Sequence, residues 1–505
     1  MPIQPNGSAA HAGTVIVVGA GSAGMTTAWR LSTDPSIHVV LVEAGVDPGR
    51  SIPEALRRDM LLPAEFYWNY AEADTGAFLP RGKVLGGTSA ANAAAAVRGH
   101  PACFDAWGPG WTWRDCLPAF VGLESDQQFG AESYHGDRGP IPITRYATGG
   151  FDAEFNEVYG ALGHRGIDDH NEPNSLGYGP WPTNRVGDDR ASTLLQLLPD
   201  LRVRPNVTIH SNATVRRILI EGGVASGVLI DTHTGPAIIE GDCVVLAAGT
   251  FGSPEILFDS GIGDADELQE AGIDIAAHLP GVGRNLSDHP FLQMVVDVND
   301  PARYPRGAAQ GTLLTFDHYL PAGNLGHLFA YQTAAFDPTA RPSQASVTVA
   351  LMTPESRGRL TLYGGGRPAA VHLAHFTHPD DRRTGSALLA HAREVVTEVS
   401  KQGLITPPDN AWWEDADAET TLRARAVTYH HPVGTCRMGS GSDSVVGSDL
   451  RVHGISRLYV ADASVMPRLP RGTTNLATMM IGWRAADFIS THISSEPRTA
   501  QKDSL

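Results

Sequence analysis

Hydrophobic positions near the start of this chain change period in a fixed order. Thr14, Val15, Ile16, Val17 and Val18 form an unbroken run of strand-forming residues that meets Gly19, Gly21 and Gly24. From about Ser22 to Leu31 the apolar residues fall at helical spacing, with Met25, Ala28, Trp29 and Leu31 on one face. A second apolar run, Ile37 to Val42, ends on Glu43. This order predicts strand, tight turn, helix and strand, the βαβ unit that binds a dinucleotide. The first glycine permits the turn, the second lets a pyrophosphate approach the backbone, and the third lets the helix lie close to the strand. The free N–H groups at the helix start, at Ser22 and Ala23, hold phosphates. Glu43, with Ala44 beside it, lies about 20 residues on, where an acid bonds a ribose hydroxyl and favours FAD or NAD over NADP.

Later patterns are weaker. Arg81 to Gly99 places Gly86-Gly87 before Thr88 and Ser89, two plausible helix N-caps, and then Ala90 to Ala96, which predicts a helix of minimal side chains. Such a helix could carry a large flat group or pack on another helix. From about Phe151 glycine, proline, asparagine and aspartate become frequent. Leu219 to Ile230 and Ala237 to Leu246 alternate as strands around loops at Gly222-Gly223 and Thr232 to Gly235. Cys243 to Gly249 predicts a buried strand, with a helix opening at Ser253-Pro254. Further on, Phe291 to Val298, Ala345 to Leu351, Arg359 to Leu362 and Ala370 to Leu373 predict an antiparallel sheet, flanked by a helix near Ser386 to Val399.

Composition narrows the class. A chain of 505 residues exceeds one ordinary core, and its 42% hydrophobic content is normal for a globular protein. No apolar run reaches the roughly 18 residues a membrane helix needs. Residues 1–13 carry no signal-peptide pattern and are expected to be a loose tail, so a cytoplasmic protein is expected. A formal charge of -17 argues against nucleic acid or an anionic membrane as partner. Cys103, Cys116, Cys243 and Cys436 form no CxxC pair and are expected to be reduced and buried, and no metal motif is present. Trp107, Trp111 and Trp113 are expected to serve packing.

The strongest chemical signal is Tyr429 to Gly439, Y-H-H-P-V-G-T-C-R-M-G, where Pro432 and Gly434 fix a turn directly after His431. Cys436 in the same stretch is expected to be a packing residue. Asp288-His289 reads either as a catalytic pair or as a buried crossing point. Leu458 to Pro467 predicts a strand ending on a turn, and Asn475 precedes a helix from Leu476 to Ala486, where it could also act as the N-cap.

Taken together, the glycine motif, the 81–99 block, Asn285-Leu286-Ser287-Asp288-His289, the His431 motif and Ala461-Asp462-Ala463-Ser464 resemble the glucose–methanol–choline (GMC) family of flavin oxidoreductases. The resemblance spans Thr14 to about Ile489. It implies an α/β fold: a Rossmann-like FAD-binding domain (1–150, 200–290 and 430–505) and an α+β substrate domain on an antiparallel sheet (151–199 and 291–429). It implies that Gly87, Thr88 and Asn92 contact FAD. Val215, at the end of a return strand over Arg202 to Thr214, would pack on the adenine. Ala248 would lie at a second dinucleotide-facing strand end, and Asp462 and Ala463 against the flavin. Ala91 stands where some members attach FAD through a histidine, so non-covalent FAD is expected. Ala93 and Leu476 depart from the family pattern.

The implied reaction oxidises a small-molecule alcohol. His431, with a pKa near working pH, takes the hydroxyl proton, a hydride passes to flavin N5, and Asn475 bonds the alkoxide oxygen. Oxygen or another acceptor reoxidises the flavin. A lyase on the same fold and a flavin-binding protein without turnover are the alternatives. His430 could line the pocket or serve the fold.

Overall fold

The computed structural model describes residues 13–59, 61–303, 311–333, 341, 343–362, 369–414 and 418–495. Apart from Gly13, the expected tail lies outside them.

Two sheets organise the chain. The first has five parallel strands, in the order Val207–His210, Ile37–Val42, Gly13–Val18, Cys243–Leu246 and Leu458–Val460. Its middle strands are apolar at nearly every position, and Val15, Ile16, Val17, Val244 and Val245 are fully buried. That is the signature of a parallel sheet covered on both faces. Each such side chain contributes about 1.5–3 kcal/mol by leaving water. The helices Ser22–Leu31 and Thr474–Ser495 pack together beside it, and Thr27 Oγ1 donates to Gly482 O at 3.0 Å.

The second sheet has seven strands. Its order is Ile405–Thr406, Pro290–Val298, Gln344–Leu351, Gly326–Gln332, Thr312–Phe316 and Gly177–Pro180, and Val427–Thr428 also pairs with Pro290–Val298. Every pairing in it is antiparallel. Alternation along the strands gives its faces different neighbours. Leu292, Met294, Leu328 and Ala330 join a core with the helices Phe151–Ala161 and Pro379–Lys401. Phe291, Gln293, Phe329 and Tyr331 line a cavity on the opposite face.

Several expected elements differ. Ala90 to Ala96 is not helical: a 3-10 turn ends at Ala90. The Asn92 side chain accepts from Ala94 N at 3.0 Å, and Ala94 takes φ 59°. Ala94 O and Ala96 N bond instead to the backbone of Asn184 and Pro182. Thr88 and Ser89 therefore cap no α-helix; Thr88 Oγ1 accepts from Gly82 N, and Ser89 Oγ bonds Thr193 Oγ1. The helix expected at Ser253-Pro254 starts at Gly249 and runs through Pro254. Proline has no N–H to offer Thr250 O, and Thr435 Oγ1 donates to that carbonyl at 2.6 Å instead. The return strand is only Val207–His210, and Val215 opens the next hairpin, in Thr214–Glu221. Arg359–Thr361 and Ala370–His372 pair with each other, outside the large sheet. The helix over 386–399 begins earlier, at Pro379, where His378 Nδ1 accepts from Asp380 N.

All four cysteines are free and buried. Trp107 and Trp111 are buried in an aromatic cluster with Phe104, and Trp113 packs against it. No helix among the described residues is long and apolar enough to cross a membrane.

A buried ionic network ties the segments between the sheets together. Arg145 Nη1 donates to Asp126 Oδ2 at 2.8 Å and Nη2 to Asp169 Oδ1 at 2.5 Å, while Arg98 pairs with Glu124. His135 places Nδ1 2.6 Å from Glu124 Oε1 and Nε2 2.8 Å from Asp169 Oδ2. Glu124, Asp126 and His135 could together hold a metal ion by geometry, but the two guanidiniums already supply positive charge there. Each ring nitrogen faces a carboxylate, which favours a positive charge on His135, while Arg98 Nη2, 3.1 Å from Nδ1, opposes it. Burial disfavours the charged ring, but Asp169 and Glu124 outweigh it and hold its pKa above the ordinary value.

A raised folded-state pKa gives stability that is fully present below the unfolded value of about 6.5 and is lost as pH climbs through the folded value. His135→Gln is therefore expected to destabilise the protein by about 3–5 kcal/mol near pH 6. Thermal unfolding should show the gap between variant and parent narrowing toward pH 9, and a gap independent of pH would refute the charged form.

Candidate functional site

A cavity of about 1010 Å³ lies between the carboxyl ends of the parallel strands and the outer face of the antiparallel sheet. Ligands of open α/β sheets bind at such strand ends, and this volume is at the upper end for small-molecule sites. The strand Gly13–Val18 delivers Gly19, Gly21, Ser22 and Ala23 to its wall, and Ile37–Val42 delivers Glu43 and Ala44. The helix Ser22–Leu31 has no side-chain cap at Gly21, so its first-turn N–H groups are left for a ligand. Gly24 is not in that wall. A Cβ there would lie 1.9 Å from Gly19 O and 3.0 Å from Ala247 Cβ, so it acts purely by letting the helix close on the turn. Glu43 is buried, and its carboxylate accepts from Ala20 N at 2.8 Å and Gly45 N at 2.7 Å. Burial raises its pKa, partly offset by those bonds.

Gly87 faces Gly21 across the cavity floor. It takes φ 50°, and a Cβ on it would meet Gly21 Cα at 2.8 Å. Thr88, Ala91, Asn92 and Ala93 follow along the same wall. Val215 and Ala248 line it from two further strand ends, and Asp462 and Ala463 from a third. The Asp462 carboxylate is taken up within the protein: Oδ2 accepts from Ser253 Oγ and Gly249 N, and Oδ1 accepts from Ser464 N. It braces the turn, and Ala463 lies beside it on the wall.

His431 is held from three sides. Its backbone N–H donates to Asp288 Oδ1 at 2.8 Å. Its Nδ1 lies 3.0 Å from His289 Nδ1. Gly434 turns the chain at φ 92°, and Val433 bonds Ser287 in both directions. Nε2 is left without a partner among the described residues. Burial pushes the ring's pKa well below its ordinary value, and the neighbouring His289 adds to this, so the expected pKa near working pH is corrected downward. Burial also works against the Asp288 carboxylate, but His375, at 3.0 Å, and Thr428 outweigh it and keep it ionised. Asp288 and His289 are thus the support of His431, a role that the sequence left open between a catalytic pair and a crossing point.

Asn475 is not a helix cap. The helix starts at Thr474, one residue before it. Its Oδ1 accepts from Ser22 Oγ at 2.7 Å, and its Nδ2 is buried without a partner among the described residues. His430 lines the cavity at φ 63°, and its carbonyl accepts from Arg81 Nη1 at 3.2 Å. Cys436 is fully buried, and burial holds its thiol far above the ordinary pKa.

The structure adds a wall that sequence reasoning missed. Phe291, Phe329, Tyr331 and Tyr429 line the cavity near His431, with Gln293 and Thr348 among them. Phe329 and Tyr429 stack at 5.9 Å and 17°, and Tyr429 lies 4.6 Å from the His431 ring. Their sequence signals were strand alternation at Phe291 and Gln293 and the place of Tyr429 at the head of the His431 motif.

The described cavity fits a long anionic dinucleotide with a flat ring system, since uncapped N–H groups, facing glycines and an unpartnered buried amide converge on it. Comparison with known proteins agrees. A family model described as GMC oxidoreductase matches residues 14–291, and a second of the same description matches 354–482. The chain is 31% identical to pyridoxine 4-oxidase of Microbacterium luteolum, over 92% of this chain and 97% of that protein. It is also 31% identical to 5-(hydroxymethyl)furfural oxidase of Methylovorus sp., over 94% of this chain and 98% of that one. The crystal structure of pyridoxine 4-oxidase from Mesorbium loti superposes with a TM-score of 0.84 at 29% identity, covering 95% of this chain and 99% of that one. With matches that together run from the glycine turn to the last helix, this chain belongs to the GMC oxidoreductase family.

Proposed function

We propose that this protein binds FAD non-covalently in the large cavity and oxidises a neutral alcohol borne on an aromatic ring to its aldehyde, with His431 as the proton acceptor. One observation carries the reading: His431 Nε2 and Asn475 Nδ2, neither of which has a hydrogen-bond partner among the described residues, belong to side chains that line the same cavity. The uncapped turn at Ser22 and Ala23 would hold the pyrophosphate, Glu43 the ribose, and Val215 the adenine. Gly87, Thr88, Asn92, Ala248 and Ala463 would enclose the ring system, which has no histidine at position 91 to attach to. The parallel-sheet part (1–150, 200–290 and 430–505) would carry the cofactor, and the antiparallel part (151–199 and 291–429) the substrate wall. Bound there, FAD supplies the acceptor for two electrons and the carbon-bound hydrogen.

The chain's own residues do the rest. His431 is neutral at working pH, so Nε2 is ready to take the hydroxyl proton. Asn475, its amide oriented by Ser22, donates from Nδ2 to the substrate oxygen as charge builds there. The substrate wall is aromatic and uncharged at Phe291, Gln293, Phe329, Tyr331, Thr348 and Tyr429. These six residues suit a flat neutral ring and offer no anion to a quaternary ammonium, while Arg81 lines the same cavity beside His430. Pyridoxine and 5-(hydroxymethyl)furfural, named for relatives of the chain, are the first two members of a substrate panel.

Anaerobic addition of an aromatic alcohol is expected to bleach the yellow flavin, and peroxide formation in air would identify oxygen as the acceptor. Product without bleaching would instead make the protein a lyase. His431→Ala should keep its FAD and lose about 10²–10⁴-fold in turnover; undiminished oxidation would remove its assigned role. Asn475→Ala is expected to cost about 10²–10³-fold in kcat with FAD retained, and an effect confined to KM would contradict it. Because burial holds the His431 pKa low, the ring is already unprotonated around pH 6.5. The kcat/KM profile should therefore stay level down through that pH, and a drop centred there would count against a buried neutral base.

A further inference from the structure

We propose that His289, His327 and His170, with water in a small second cavity, form a path that carries the alcohol proton from His431 to the surface. The proposal rests on His431 being the proton acceptor. The first link is the 3.0 Å contact between the Nδ1 atoms of His431 and His289. Behind it, His289 Nε2 is buried near the Met352 backbone, with no well-formed hydrogen bond among the described residues. His327 is fully buried, and both its ring nitrogens lack partners among the described residues. Leaving a buried polar atom unpaired costs about 1–3 kcal/mol, so the two ring nitrogens of His327 call for an explanation.

The sheet register places the next members. His327 on Gly326–Gln332 pairs directly with Thr315 on Thr312–Phe316. Thr315 Oγ1 in turn lies 3.3 Å from His170 Nδ1. His327, Thr315 and His170 all line the second cavity, which opens at the exposed residues Glu172 and Asn174. Its volume is about 20 Å³, against the roughly 10–15 Å³ that one water needs. Across the large sheet His327 pairs with Ala350, and Ala350 pairs with Phe291, two residues beyond His289. After burial, His170 and His431 are the charges that lower its pKa.

The proton balance is simple. His431 takes the hydroxyl proton at Nε2 and passes its Nδ1 proton to His289 Nδ1. His289 releases a proton from Nε2 toward His327 and the water, and His170, whose Nε2 is held by Gly179 O at 3.3 Å, takes it at Nδ1 and gives it up from the same atom to solvent. One proton enters, one leaves, and no electrons move along the path. Burial lowers the pKa of His289 to about 3 and that of His170 to about 4, so neither ring traps the proton it carries.

The test uses the FAD-loaded protein, mixed anaerobically in a stopped-flow instrument with an aromatic alcohol that bleaches it, in weak buffer containing a pH indicator. In the parent, one proton per flavin should appear in solution in the same phase as bleaching. In His327→Phe and in His170→Leu, bleaching should keep its rate while proton release lags at least tenfold. Either variant alone decides, should the other not retain FAD. Release in step with bleaching in a variant overturns the path, as does a parent that keeps its proton until the flavin is reoxidised. A parent flavin that no alcohol bleaches overturns the proposed function, and the path with it.

Discussion

The site depends on one contact, the approach of His289 to His431 across 3.0 Å of buried space. One nitrogen of the pair must donate and the other accept. For His431 to keep a lone pair on Nε2, its Nδ1 must be the donor, and His289 Nδ1 provides the acceptor. The same tripeptide supplies Ser287, Asp288 and His289 to three different tasks: a backbone ladder with Val433, an anchor for the His431 N–H, and the ring contact. A short segment that ends where the antiparallel sheet begins thus sets the aim of an imidazole 142 residues further along the chain.

Much of the parallel sheet was legible because its signals are local. A buried parallel strand needs consecutive apolar residues, and a nucleotide turn needs glycines where a Cβ would strike backbone. Thr14 to Val18 and Gly24 meet those demands within eleven residues. His431 was legible for a related reason, since Pro432 and Gly434 fix the turn behind it. Where the sequence misled, non-local bonds had overruled propensity. Ala90 to Ala96 has the best helix formers available, yet its backbone bonds are drawn off to Pro182 and Asn184. Pro254 reads as a helix start, but a hydroxyl from Thr435 lets the helix pass through it.

The substrate wall was illegible for a different reason. Phe329 and Tyr331 share one strand and Tyr429 follows another, and only the register of Gly326–Gln332 against Gln344–Leu351 brings the first two toward Phe291 and Gln293. Alternation predicts that one face of a strand is buried, not what the other face confronts. Thr312–Phe316 hid even more completely, because it is buried at every position and shows no alternation at all.

Burial explains both the strength and the limit of the base. An imidazole in bulk water would be partly protonated near its ordinary pKa and unable to accept a proton in that fraction of molecules. Enclosing His431 among aromatic rings and neutral histidines removes that loss, because the charged form is disfavoured first by desolvation and then by His289. The same enclosure makes the imidazolium unstable once it forms, since a buried cation without a partner is costly. Asp288 gives partial relief through its fixed carboxylate, whose influence opposes that of His289. A site built in this way works best when the proton does not remain where it was taken, and that requirement gives chemical meaning to unpaired ring nitrogens lying behind the base.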